Sequence, residues 1–154
     1  MYHFNDVNCI RKFNTENIEE NLERMMNLMN TILELIEVAR TQGLLALEEY
    51  FAQSHDDYEA MENKDREILK YGIQLIIDGT DPEIVEEIML NTCYSNCYDE
   101  SDTFICNIIC KGTLMIQKGY HPRMTTHLML SLISLENIEK LYRSKAIKAH
   151  HKLN

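Results

Sequence analysis

Apolar residues along this chain recur at three- and four-residue intervals, and strict alternation is absent. Ile18, Leu22, Met25, Met26, Met29, Ile32, Leu33 and Ile36 keep helical spacing over about five turns. Asn14 or Thr15 is placed to cap that helix, and glutamates follow in its early turns, where the dipole favours acids. The pattern carries on through "ELIEVARTQGLLALEEYFAQ", residues 34–53, as one continuous or bent helix unless Gly43 interrupts it. A lone internal glycine costs about 1 kcal/mol against alanine, so it does not by itself decide.

The next stretch, "SHDDYEAMENKD", is polar and reads as a loop or a short solvated helix begun by Ser54. "REILKYGIQLIID" is helical again, with Ile68, Leu69, Ile73, Leu75 and Ile76 facing inward. "DGTDPE", residues 78–83, then combines two acids with glycine and proline, the ingredients of either a site or a corner. Gly79 suits the left-handed position that ends a helix, and Thr80 with Glu83 forms a capping box. Asp81 is the alternative cap, placing Pro82 at the first helical position. A calcium loop needs more acids before its glycine, so the stretch reads as a corner. Ile84, Val85, Ile88, Met89 and Thr92 carry the following helix; "SNCYDESD" interrupts, with Ser101 or Asp102 as the new cap. "TFICNIICKGTLMIQKGYHP" is helical to about Lys118, closed by Gly119 and Pro122, and "RMTTHLMLSLISLENIEKLYRSKAIKA" is a last helix. The expectation is an all-α single domain of five or six amphipathic helices, hairpins included, over residues 1–145, with a basic tail at 146–154.

Composition narrows the function. Fifteen Lys and Arg against 25 Asp and Glu give a net charge of −10. An acidic chain does not suit nucleic-acid phosphates or anionic lipid, and its natural partner is a basic protein surface. The apolar run "LMLSLISL" has eight residues, where a membrane span needs about 20. The first residues contain no apolar secretory core, so a cytoplasmic location is expected, and with it free thiols at the five cysteines.

Cys93 with Cys97, and Cys106 with Cys110, are spaced to share a helical face each. Two such helices packed antiparallel could offer four sulfurs to zinc or an iron–sulfur cluster, or serve as a redox sensor. Structural zinc knuckles favour tighter C-x2-C turns, however, and cysteine is a common buried hydrophobe, so buried thiols with no metal are the plainer reading. His55 and His121 fall in loops, His127 on an apolar helix, and His150 and His151 in the tail. Neither a serine–histidine–acid set nor a Gly-rich phosphate loop appears, so neither an enzyme nor a cofactor is expected. Arg40 stands where the stripe of Leu33 and Ile36 calls for a hydrophobe. With Glu48 and the leucines at 44, 45 and 47 it makes a mixed charged and apolar patch (Leu44, Leu45, Leu47).

Two blocks, "ARTQGLLALEE" at 39–49 and "YGIQLIIDGTDPEIVEEIM" at 71–89, resemble the cytoplasmic segment of the flagellar stator protein MotA. "KGTLMIQKGYHP", at 111–122, is similar to the approach to that family's third membrane helix, so the resemblance spans residues about 30–122. In that family an arginine and a glutamate of the first block face the rotor protein FliG, which by position implies Arg40 and Glu48 here. The resemblance also implies that "DGTDPE" orients a helical hairpin presenting the first block, and that stator subunits or a second copy of the chain are partners. The insertion "FAQSHDDYEAMENKD" lengthens the spacing between the first two blocks. Arg123, His127, Glu136 and Glu139 break the apolar run where the third membrane helix would begin. The expectation is a soluble, rotor-facing binding module that conducts no ions.

Overall fold

In a computed structural model, residues 7–143 form an all-α structure around one apolar cluster. Its helices are α1 (Val7–Thr15), α2 (Ile18–Gln42), α3 (Leu47–Tyr50), α4 (Asp56–Ala60), α5 (Asn63–Ile77), α6 (Pro82–Asn96), α7 (Glu100–Lys118), α8 (Pro122–Leu130) and α9 (Leu135–Arg143), and a 3-10 turn, Leu44–Ala46, precedes α3. The expected all-α class is what the chain adopts. More elements appear than the five or six expected because the long periodic stretches break at specific residues.

Gly43 takes φ 91° and ends α2, so the chain does not continue as one helix to residue 53. Asn14 and Thr15 do not cap α2. They lie in the last turn of α1, where the Asn14 amide donates to the Ile10 and Leu132 carbonyls and the Thr15 hydroxyl to Arg11 O. The residue preceding α2 is Asn17, in the left-handed region at φ 49°. His55 rather than Ser54 precedes α4. Asp99, not Ser101 or Asp102, caps α7, its side chain accepting from the Asp102 N–H at 2.8 Å. The last stretch divides at residues 131–134, where Ser134 N–H donates to the Asn14 side chain and the Asn137 amide donates to Asn14 as well. The tail expected at 146–154 lies outside the described residues.

"DGTDPE" is a corner. Thr80 N–H reaches Leu75 O at 3.1 Å and Gly79 N–H reaches Ile76 O at 3.0 Å, the double closure of a Schellman end with Gly79 at φ 77°. Of the two caps the sequence allowed, the Asp81 position is used, with Pro82 opening α6. The inward residues of α2 are buried apart from the partly exposed Ile18 and Met26, and in α5 only Leu75 is partly exposed. On α6 Val85 and Met89 are buried, whereas Ile84 points to solvent.

The helices are aligned by charge as well as by apolar contact. Arg24 on α2 donates from Nε to Asp65 Oδ2 at 2.8 Å and from Nη2 to Asp65 Oδ1 at 2.9 Å, a two-pronged bond to α5. The same Nη2 reaches Asp102 Oδ1 on α7 at 3.0 Å, and Lys64 also pairs with Asp102. Asp65 is only 2% exposed, so this is a desolvated cluster. The early turns of α2, α5 and α7 therefore meet at one point. Further along, Gly112 of α7 faces Ile32 of α2, and Gly72 of α5 faces Thr113 of α7, so the three helices run in the same direction. A Cβ on Gly72 would lie 2.8 Å from both Met89 Cε and Thr113 Oγ1; the missing side chain is what lets α5, α6 and α7 close together.

Replacing Arg24 by Met is expected to destabilise the protein by about 3–5 kcal/mol in urea unfolding, because it leaves Asp65 buried and unpaired. Burial raises the Asp102 carboxyl, but hydrogen bonds from Lys64 and Arg24 outweigh this and hold it below the usual carboxylate range. Its stabilisation is thus complete above the unfolded value of about 4 and is lost as pH falls through the lower folded value. Asp102→Asn should flatten the acid limb of the stability curve below about pH 4. An unchanged limb would remove Asp102 from the acid response.

Candidate functional site

The block expected to bind a partner straddles the break at Gly43. Arg40 lies exposed in the last turn of α2, and Glu48 lies exposed on α3. Because the helix stops between them, they are not two turns apart on one axis but on opposite arms of a corner. Neither takes part in an ion pair among the described residues. Of the three leucines, Leu45 is 72% exposed and Leu44 is half-buried. Leu47 is fully buried and anchors α3 to the core, so it cannot supply contact area to a partner.

The same corner encloses a cleft of about 460 Å³ between the end of α2 and the segment running from the 3-10 turn to His55. Glu34, Glu37 and Val38 line one wall, and Ala46, Glu49 and Tyr50 line the other. Tyr50 is its structural centre. The hydroxyl donates to Glu34 Oε2 at 2.9 Å, and the ring stacks on His55 with centroids 3.6 Å apart and planes 9° from parallel. Phe51 meets both Tyr50 and Tyr58 edge-on at 5.3 Å, closing an aromatic cluster behind the stack. His55 Nε2 lies 2.8 Å from Tyr50 O, which accepts, so Nε2 carries the proton in that contact. Its Nδ1 lies 3.7 Å from Glu34 Oε2. Burial, then the bond to the Glu34 carboxylate, pushes the Tyr50 phenol far above its ordinary range and keeps it neutral.

The sequence pointed to Arg40 and Glu48 but not to Glu34, Tyr50 and His55. Tyr50 is 16 residues from Glu34, a separation no helical face predicts once the helix breaks. The available signal was aromatic density, Tyr50, Phe51 and Tyr58 around His55, which marks a packed cluster without revealing which acid it faces. Chemically the cleft offers an acidic, partly aromatic recess.

The cysteines are arranged differently from either sequence reading. Cys93 and Cys106 are joined by a disulfide, their Cα atoms 5.6 Å apart, so the expectation of free thiols fails at these two positions. Antiparallel packing of α6 on α7 brings residue 93 opposite residue 106 across the hairpin, which outweighs the four-residue spacing along each helix. Cys97 donates to Asp102 O at 3.4 Å, and Cys110 is buried on α7. Burial pushes both thiols up, Cys97 to about 11 and Cys110 to about 12. No set of three or more His, Cys, Asp or Glu residues suited to a metal occurs among the described residues, so the four sulfurs do not form a common site. No described helix is long and apolar enough to cross a membrane.

Comparison of this chain with family models, with curated proteins and with solved structures finds no match.

With Cys9, Cys97 and Cys110 outside the disulfide, thiol titration of the denatured, unreduced protein should count three sulfhydryls, rising to five after reduction. Reduction should also lower stability by about 3 kcal/mol, the scale for a bond closing a loop of this length. Five thiols without reductant would mean that Cys93 and Cys106 stay unjoined in the purified protein.

Proposed function

We propose that this chain is a non-enzymatic binding protein that docks the α2–α3 corner onto a charged, helical surface of a partner protein. The observation that carries this reading is the corner itself: Arg40 projects from the end of α2, and Leu45 and Glu48 project from the facing segment, fixed by the buried Leu47 and Tyr50. An exposed leucine between charges that make no ion pair among the described residues, on a base held by buried side chains, costs little ordering entropy on association. The three glutamates of the adjoining cleft favour a basic side chain on the partner.

The resemblance of residues 39–49 and 71–89 to the MotA cytoplasmic segment makes the C-terminal domain of the rotor protein FliG the first partner to test. On this reading the chain modulates motor engagement, or serves as an adaptor in the motility apparatus, without conducting ions. Leu45 supplies apolar contact, Arg40 and Glu48 set orientation, and Leu47 acts only by holding the corner in place. The alternative of a redox-sensing protein draws on the Cys93–Cys106 bond and predicts that reduction, not a partner's charge, controls binding.

Calorimetric titration with the FliG C-terminal domain of the same organism should give salt-sensitive binding. Leu45→Glu is expected to weaken it at least tenfold; Arg40→Glu and Glu48→Lys should each weaken it by up to about fivefold, the scale of exposed charge pairs. Absence of heat from the folded protein, oxidised and reduced alike, would remove the rotor as partner.

A further inference from the structure

A second surface has the opposite polarity. Between α7 and α8 runs a groove of about 340 Å³ whose floor and walls are mostly apolar, with Leu114, Met115, Met129 and Leu132 among them. Leu128 on its edge is 44% exposed, and Met124, one helical turn earlier on the same face of α8, is 55% exposed. In a chain of net charge −10, the charged residues lining this groove are Lys111, Lys118 and a single acid, Glu86. Arg123 and His127 stand exposed on α8 beside Met124 and Leu128. Apolar side chains exposed at i and i+4, beside a recess with basic margins, are the receptor half of a helix-in-groove contact.

We propose that the α7–α8 groove binds an amphipathic helix of a partner protein, with apolar anchors at i, i+3/i+4 and i+7 flanked by carboxylates. The anchors fill the recess over Leu114 and Met129, and Leu128 and Met124 pack along the side of the incoming helix. Lys111 and Lys118 meet its acidic margin and exclude basic helices of the same apolar pattern. The surface is separate from the α2–α3 corner, so the chain joins two partners of opposite charge. At about 0.15 M salt the screening length is about 8 Å, so a bound helix feels these nearby cations more than the distant acidic faces.

The test uses fluorescence anisotropy at 0.15 M salt, with two labelled synthetic 18-residue helical peptides. They share one leucine stripe and carry either glutamate or lysine along its margins. The glutamate peptide should bind at least tenfold more tightly than the lysine peptide. Leu128→Asp should weaken glutamate-peptide binding at least tenfold, and Lys118→Glu should narrow or invert the preference between peptides. Both variants change exposed residues, and circular dichroism with a thermal melt confirms that each is folded. Leu45→Glu should leave peptide binding unchanged, which separates this surface from the α2–α3 corner. Equal binding of the two peptides, binding indifferent to Leu128→Asp, or no binding by the folded protein would each overturn the proposal. So would a self-associated protein in sedimentation that Leu128→Asp converts to monomer, since the groove would then belong to a second copy of the chain.

Discussion

A guanidinium held between carboxylates from two other helices fixes where three helices begin. Arg24 is always charged, and Asp65 is almost wholly removed from water, so each requires the other. The two-pronged bond between them tolerates little rotation: a one-residue slip of α5 would turn Asp65 by about 100° away from Arg24. Asp102 and Lys64 extend the constraint to α7. The topology follows. If α2, α5 and α7 start at one end and run the same way, the chain must return twice. The first return is the 3-10 turn with α3 and α4, and the second is α6. The stretch "FAQSHDDYEAMENKD" contains much of that first return. Its last residues, Lys64 and Asp65, supply the charges that complete the cluster.

The second return depends on close approach rather than charge. Gly72 leaves space for Met89 and Thr113, Gly79 turns the chain with the reversed φ that only glycine adopts cheaply, and Cys93 meets Cys106 across the α6–α7 hairpin. The buried thiols Cys9 and Cys110 lie outside that bond. The rigidity of this region thus comes from a short-range staple and absent side chains, while that of the α2–α5–α7 start comes from one desolvated ion cluster.

What was legible in the sequence was whatever local periodicity or local turn chemistry decides. The α2 stripe, the inward face of α5, the end of α7 at Lys118 and the corner at Gly79 needed no tertiary information. The failures share a cause. Asn14 looks like a cap because it precedes a periodic stretch, yet its amide is engaged by Leu132, 118 residues away. Leu47 was grouped with Leu44 and Leu45 in a patch around Arg40 and Glu48, yet the break at Gly43 rotates it into the core. The cysteines were sorted by neighbours along a helix, and the hairpin sorted them by neighbours across it. Glu34, Tyr50 and His55 come together only after Gly43 has folded α3 back on α2, so no spacing rule could have assembled them.

The common direction of three helices also bears on what the corner can bind. Gly43, Gly79 and Gly119, the glycines with positive φ among the described residues, stand at the ends of α2, α5 and α7. Gln117 donates to Thr80 O at 2.7 Å, linking two of them directly. Helix C-termini carry partial negative charge from unsatisfied carbonyls, and aligned ends add. Glu34, Glu37 and Glu49 deepen that negative potential on the α2 side, while Arg40 and Lys118, each in a last turn, offset it locally. On the α7 side the next helix begins at once, and the N-terminus of α8 brings the opposite partial charge beside Lys118 and Arg123. The molecule therefore presents a negative recess beside the end of α2 and a positive groove between α7 and α8. The difference in sign comes from the side chains and from the start of α8, because the parallel α2 and α7 end with the same partial charge.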